Sequence, residues 1–337
     1  MIPTKEQIEE IACLEQRSLA WFRARLGCIT GSQVYSIIKQ SDAEKALHKA
    51  IFLGIQEKES KVEFRTRLAT LKGTKEYERI KKEGPLKETQ EEFNDRINML
   101  KEKVIESPFT DSTMSYIYSL ASERNLRDVF VKDDEFFNQY LRRTSFSSNA
   151  IRWGEETEAM ARLQYSRLIE REVIEIGFYR HSKVDWYGDS PDGLVIDNVS
   201  GKPIGAIEIK CPKSETWIRY RHEFNKGRDL YNQFVTKFME EHPEIDADSF
   251  NDNMLPIEQR FDMVNAAILK RIKPEYYWQC QSHCECNNVD WCDFIFYDQM
   301  QKGEIGIIRI NRNQNDINYM LERIEKVNAY IENEILK

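Results

Sequence analysis

Two short segments hold the residue types that phosphate chemistry asks for. The first is Ser190-Pro191-Asp192-Gly193, and the second, after a short gap, is Glu208-Ile209-Lys210-Cys211-Pro212. Side chains alternate across a strand, so on a strand Glu208 and Lys210 leave one face together while Ile207 and Ile209 turn into a core. Asp192, delivered from a turn at the end of the adjacent strand, brings a second carboxylate to that pair. Two carboxylates with open water positions suit Mg2+, a hard cation that keeps several waters and favours phosphate substrates. A neighbouring lysine can orient or help deprotonate an attacking water and offset charge on the phosphorane. Together these groups describe metal-assisted hydrolysis of a phosphodiester. The plainer reading of the same residues is a surface hairpin with a solvated Glu/Lys pair.

The elements that must position this pair follow from periodicity. Short β-rich runs at Val173–Tyr179, Val184–Tyr187, Leu194–Ile196 and Ile204–Ile209 are separated by turn residues such as Asp192-Gly193 and Ser200-Gly201. Two further strands are predicted at Trp291–Tyr297 and Ile305–Ile310. Helical spacing is read at the N-terminus, where Thr4 and Gln7 form a capping box ahead of Ile8, Ile11 and Leu14. It returns at Ser18–Leu26, which stops at Gly27, and from an N-cap at Thr30 through Ile38. Further helices are predicted at Asp111–Leu126, from Trp153-Gly154 to Leu168, at Glu215–Phe224, Leu230–Glu241, Ile257–Ile272 and Glu275–Cys286, and from Asn315 onward. This order predicts an α/β domain: a central mixed sheet flanked by helices.

The 337 residues suffice for a sizeable core, and 41% hydrophobic with 31% charged residues excludes disordered, collagenous and coiled-coil classes. Apolar runs such as Ala50–Ile55 are far short of the roughly twenty residues of a membrane span. The opening MIPTKEQIEEI has no signal-peptide core, so a soluble intracellular protein is expected. Lys and Arg number 49 against 57 Asp and Glu, a net charge of −8, so a nucleic-acid role needs a local positive patch on an acidic body. We read one domain over 1–337 that carries a Lys/Glu-rich helical insertion at 41–110 and a second helical insertion at 225–270.

Four blocks, taken in order, carry a resemblance. They are Trp21-Phe22-Arg23-Ala24-Arg25-Leu26-Gly27-Cys28-Ile29-Thr30-Gly31-Ser32, then Trp153-Gly154 with Glu158 on the helix they begin, then SPDG with EIKCP, then Tyr277-Trp278-Gln279-Cys280-Gln281. Met114-Ser115-Tyr116 adds a weaker echo. The chain resembles the lambda-exonuclease-like (YqaJ-type) viral recombinase family of the PD-(D/E)xK nucleases. The resemblance implies the PD-(D/E)xK nuclease fold and a Mg2+-dependent exodeoxyribonuclease, with Mn2+ able to substitute. Such an enzyme enters at double-stranded DNA ends, degrades one strand 5′ to 3′ and leaves a 3′ tail for phage-type recombination. It also implies a possible homotrimer, a single-strand annealing protein as partner, and a cytoplasmic setting in a bacterial host of a phage or prophage.

Carried onto this chain, the resemblance makes Asp192 and Glu208 metal ligands together with the Ile209 carbonyl, with Glu158 as a third acid. Lys210 would position the water, and Gln281 and Gln279 would hydrogen-bond near the scissile phosphate. Arg25, Ser32 and Ser190 would form a 5′-phosphate pocket, and Ile151 would sit where relatives place an apolar wedge. Each has a plainer reading: a solvated helix carboxylate for Glu158, a helix-terminal cation for Arg25, surface amides for the glutamines, core for Ile151.

Cys280, Cys284, Cys286 and Cys292 crowd together with His283 and His222 as possible nitrogen ligands, but Cys280 and Cys284 lie one helical turn apart, which argues against an iron–sulfur cluster or structural zinc. Buried free thiols are expected instead. Lys213–Lys237 holds six basic residues against three acids, with Trp217, Tyr220 and Phe224 at helical spacing, so a buried aromatic stripe is predicted and the basic face is open to either DNA or solvent. Alternatives to the exonuclease are an endonuclease on the same core and a catalytically silent DNA-end-binding protein.

Overall fold

The computed structural model describes residues 15–72, 74–144, 149–244 and 256–337. The helix expected over Thr4–Leu14 and the stretch 245–255 of the second insertion lie outside the described residues. Among the described residues eight strands form two sheets: β1 (Ile29–Thr30), β2 (Val173–Ile174), β3 (Tyr179–Arg180), β4 (Tyr187–Asp189), β5 (Gly193–Ile196), β6 (Pro203–Lys210), β7 (Trp291–Tyr297) and β8 (Ile305–Asn311). The larger sheet has the order β2-β5-β6-β7-β8 and the smaller β1-β4-β3. β6 and β7 run parallel, with Glu208 opposite Phe294, and their neighbours on either side run antiparallel. The sheet is therefore mixed, and its centre is covered on both faces.

On one face Ala161 and Tyr165, four apart on the helix Asn149–Ile169, meet Ile207, Ile209, Val195 and Ile295. On the other, Phe294 and Phe296 meet Trp217, Tyr220 and Phe224 of the helix Ser214–Glu241 and Tyr276 of the helix Pro274–Cys286. The spacing of three and four in Trp217, Tyr220 and Phe224 makes them the buried stripe of that helix. Burial of such side chains contributes about 1.5–3 kcal/mol each. Glu208 is thus a buried carboxylate on a strand packed on both faces by apolar side chains.

Local sequence explains most boundaries. Ser18 Oγ accepts from Trp21 N at 3.2 Å and starts the helix Leu19–Arg25. Gly27, at φ 70°, occupies the left-handed region just beyond the end of that helix. The helix Pro274–Cys286 has proline in its first turn, where no amide partner is needed.

Other boundaries differ from expectation. The run Val173–Tyr179 pairs only at its two ends, because β2 belongs to the larger sheet and β3 to the smaller. The strand expected at Val184–Tyr187 begins at Tyr187, after Trp186 at φ 55°. The helices expected at Glu215–Phe224 and Leu230–Glu241 are one helix. It continues through Gly227, where an added Cβ would lie 2.0 Å from Ile268 Cδ1, so the glycine serves close helix packing and not a break. Thr30 precedes a single 3-10 turn, Gly31–Gln33, before the helix Val34–Ile38, and its side chain makes no cap bond.

The chain divides into two compact units, Met1–Ile38 with Ser115–Lys337, and Lys39–Met114. The Lys/Glu-rich stretch 41–110 falls in the second unit. Its helices Asp42–Leu53, Lys61–Thr70 and Gln90–Glu106 each start from a capping box, Ser41/Glu44, Ser60/Glu63 and Thr89/Glu92. Bidentate pairs, Arg67 on Glu59 and Arg96 on Glu88, supplement a thin apolar core there. The described part of 225–270 belongs to the first unit: the helix Ile257–Ile272 packs against β8 and against the helix Ser214–Glu241. No described helix is long and apolar enough to cross a membrane.

Candidate active site

Asp192, Glu208 and Lys210 converge. Asp192 N donates to Ile207 O at 3.1 Å, and its carboxylate Oδ2 accepts from Ile209 N at 2.6 Å, so the aspartate is fastened to β6 beside Glu208. Glu208 is fully buried. Its Oε1 is in ion-pair contact with the Lys210 ammonium, two residues along the strand on the same face. Its Oε2 accepts from Gln279 Nε2 at 2.9 Å and meets His283 Nε2 at 2.7 Å. Lys210 Nζ also lies 5.3 Å from the centre of the Tyr276 ring.

The third acid arrives from the helix Asn149–Ile169. Glu158 Oε1 accepts from Arg162 Nη2 at 2.7 Å and its Oε2 from Arg17 Nη2 at 3.2 Å. Arg162 also donates through Nε to the Asp192 carbonyl at 2.7 Å, tying the Glu158 helix to the aspartate turn. A cleft of about 440 Å³ opens here, with Glu158, Ile209, Lys210, Arg17, Lys273 and Tyr276 on its walls.

These charges shift one another. Burial, then the neighbouring Glu208 and Glu158 carboxylates, pushes the Asp192 carboxyl well above the usual range. Burial also works against the Lys210 ammonium, but Glu208 and Asp192 outweigh it and hold its proton more tightly than usual. Glu208 shifts downward: burial alone would raise it, and Lys210 with His283 prevails.

Sequence reasoning placed His283 with the cysteines and did not single out Asp189. In the structure His283 is fully buried, with Nδ1 at 2.6 Å from Asp189 Oδ2 and Nε2 on Glu208. Burial opposes its charged form, yet Asp189 and Glu208 raise it well above the ordinary histidine value. A local signal existed. Gln279 and His283 are four apart on one helix, hence on one face, and both meet Glu208. His222, by contrast, is exposed on the helix Ser214–Glu241.

Other expected site residues lie elsewhere. Gln281 is fully buried and turns away from Glu208: its Nε2 donates to Asn311 O at 3.0 Å and its Oε1 accepts from Asn313 N at 2.9 Å. Gln279 and Gln281 are thus both buried, not surface amides. Arg25 stacks on Trp21, its guanidinium carbon 3.9 Å from the ring centre, and lines a pocket of about 420 Å³ with Thr30, Gln33, Tyr116 and Glu123. Burial lowers the Arg25 value against the pull of Tyr116 and Asp189. Ser32 and Ser190 do not line that pocket. Ser32 is exposed beside Thr30, and the Ser190 hydroxyl is engaged twice, accepting from Trp21 Nε1 and donating to Gly177 O, each at 3.1 Å. Ile151 is a helical residue of Asn149–Ile169 whose side chain lies outside what is described.

Comparisons with known proteins bear on this arrangement. Residues 106–241 match the YqaJ-like viral recombinase domain. No curated protein matches the chain. Among solved structures, the alkaline exonuclease LHK-Exo from Laribacter hongkongensis in complex with dAMP is 21% identical, with 95% of each chain covered and a TM-score of 0.50. A second structure of LHK-Exo is 20% identical, with the same coverage and a TM-score of 0.49. At this identity the likeness to the dAMP complex is one of fold.

The YqaJ-like segment contains Glu158, Asp192, Glu208 and Lys210, while Gln279 and His283 reach the site from beyond it. Its donors suit a hard divalent cation. Glu208 Oε1 is a buried carboxylate oxygen whose contact is the Lys210 ammonium, and the Asp192 carboxylate is fastened to the next residue of the strand through Ile209 N. Among the described residues no group of three or more His, Cys, Asp or Glu side chains is placed to hold a metal ion by itself. Two carboxylates and a carbonyl leave the remaining positions to water, the pattern Mg2+ favours. Cys280, Cys284 and Cys292 are fully buried free thiols behind this site, and Cys292 touches Cys280.

Proposed function

We propose that the chain is a Mg2+-dependent exodeoxyribonuclease that enters at double-stranded DNA ends and degrades one strand 5′ to 3′. The convergence of Asp192, Glu208 and Lys210 on one side of β6, beside a cleft walled by Glu158, carries this reading. The YqaJ-like viral recombinase match and a fold shared with an alkaline exonuclease crystallised with a nucleoside monophosphate support it.

Bound between Asp192, Glu208 and the Ile209 carbonyl, Mg2+, or Mn2+ in its place, would polarise the scissile phosphate and lower the pKa of a water. The protein's own groups do the rest. Lys210 orients the water with its ammonium and balances the charge that builds on the phosphate. Glu158 extends the acidic wall, with Arg162 and Arg17 holding its carboxylate in place. Gln279, on the Glu208 carboxylate, borders the place of the scissile phosphate. Arg25 supplies a guanidinium for a terminal 5′-phosphate. By resemblance the product is a 3′ single-stranded tail for phage-type recombination. A single-strand annealing partner, a homotrimer around the DNA and a cytoplasmic location complete the reading.

The deciding experiment uses end-labelled linear duplex with 5′-phosphate or 5′-hydroxyl ends and covalently closed circular DNA, with and without Mg2+. Mononucleotide release from linear DNA alone, only with metal and faster from 5′-phosphate ends, is expected. Cleavage of the closed circle identifies an endonuclease, and end binding without nucleotide release identifies a silent end-binding protein. Either result overturns the proposal.

A further inference from the structure

We propose that His283 is a positioning residue that turns Glu208 so that a single oxygen, Oε1, is presented to the metal. The proposal rests on the metal-dependent reading above and extends it to a residue outside the nuclease motif.

Asp189 ends β4 in the smaller sheet and Glu208 lies on β6 in the larger one, and the His283 ring bridges them with contacts of 2.6 Å through Nδ1 and 2.7 Å through Nε2. The far end of the bridge is itself fixed. Asp189 Oδ1 accepts from Ser190 N at 2.9 Å, Asp189 Oδ2 accepts from Ser282 Oγ at 3.2 Å, and Ser282 Oγ lies 2.8 Å from the Tyr187 hydroxyl. All of these side chains, Asp189, Tyr187, Ser282 and His283, are buried.

A carboxylate oxygen has two lone-pair directions. Those of Glu208 Oε2 are taken by Gln279 and His283, so this oxygen has none left for a cation. Oε1 remains, facing Lys210. The terminal torsion of a glutamate is broad and roughly two-fold, so without the His283 ring only Gln279 and the flexible Lys210 side chain hold this rotation. Losing the ring would also leave Oε2 short of a partner in a buried site. Partners behind a metal-binding side chain generally set its orientation, and their removal weakens metal affinity about 10–100-fold.

Mn2+ binding to the metal-free full chain, followed by electron paramagnetic resonance, tests this without recourse to turnover. Wild type, Asp192→Asn, His283→Leu, His283→Gln and Asp189→Asn are compared, with circular dichroism and thermal melts to establish folding. His283→Leu should weaken Mn2+ binding about 10–100-fold. His283→Gln, which keeps one donor toward Glu208, should recover part of that loss, and Asp189→Asn should fall between it and wild type. A role limited to packing would not produce recovery by glutamine. Folded His283→Leu with wild-type Mn2+ affinity overturns the proposal. If His283→Leu does not fold, wild-type affinity in both His283→Gln and Asp189→Asn overturns it. Absence of an Asp192-dependent Mn2+ site in wild type overturns the metal-dependent reading and this proposal together, whereas intact wild-type binding with unaltered variants overturns this one alone.

Discussion

Gln279 and Gln281 lie two residues apart on one buried helix and face opposite ways. Successive helical residues turn by about 100°, so positions two apart point about 200° from each other. Gln279 reaches Glu208 across β6, while Gln281 clasps Asn311 O and Asn313 N where β8 leads into the helix Gln314–Tyr330. The two alanine variants should therefore separate. Gln279→Ala is expected to cut turnover about tenfold, the scale of a lost hydrogen bond to a charged group. Gln281→Ala should cost about 1–3 kcal/mol in stability, from buried backbone groups left unpaired, and leave turnover of the folded protein near wild type. Denaturant unfolding beside nucleotide release measures both, and a reversed pattern would contradict the placement.

Lys210→Ala removes the ammonium that faces Glu208 Oε1 while the strand remains intact. Hydrolysis should fall about 10²–10³-fold, the loss typical of a group that stabilises developing charge. Binding to DNA ends in the absence of metal should persist. Near-normal turnover would refute its assigned part.

Arg25→Ala should act on the choice of end. The guanidinium stacks on Trp21 and lines a pocket separate from the cleft at Glu158 and Lys210. A lost charge-assisted contact of about 1.5–3 kcal/mol corresponds to roughly ten- to a hundredfold slower use of 5′-phosphorylated ends. Equal losses on 5′-hydroxyl ends would count against a phosphate pocket there.

Asp192→Asn offers a test by stability. Burial with Glu208 and Glu158 raises the Asp192 carboxyl well above its usual value, so below that raised value the folded protein binds more protons than the unfolded one. The metal-free wild type should gain stability from this group as pH falls from neutrality toward about 4, its ordinary range. Asparagine keeps an acceptor for Ile209 N and carries no charge. The metal-free variant should melt higher than wild type at neutral pH, and the gap should close on acidification. A variant that melts lower at pH 7 would contradict the carboxylate crowding.

Much of the site was legible along the chain because its geometry is local. Glu208 and Lys210 share a face through the two-residue period of a strand, and Asp192 enters on a turn that a short hairpin returns to β6. Trp217, Tyr220 and Phe224 formed the buried stripe that their spacing indicated. The expected break before Leu230 did not occur, because Gly227 answers to Ile268 on another helix, and no local rule carries that information. The smaller sheet was likewise hidden: β1 pairs with β4 in parallel, Ile29 opposite Tyr187 and 158 residues away, through only two residues of each strand.

By itself, the sequence determined an α/β chain with two acids and a lysine converging on one strand, since periodicity and turn chemistry act between near neighbours. Only the tertiary structure decided that Asp189 and Glu208 share a histidine 94 and 75 residues away. It also decided that Gln281 and Ser190 are already engaged elsewhere. Such contacts arise from how two sheets and a helix pack, and the chain between them leaves no periodic trace of which buried polar groups will meet.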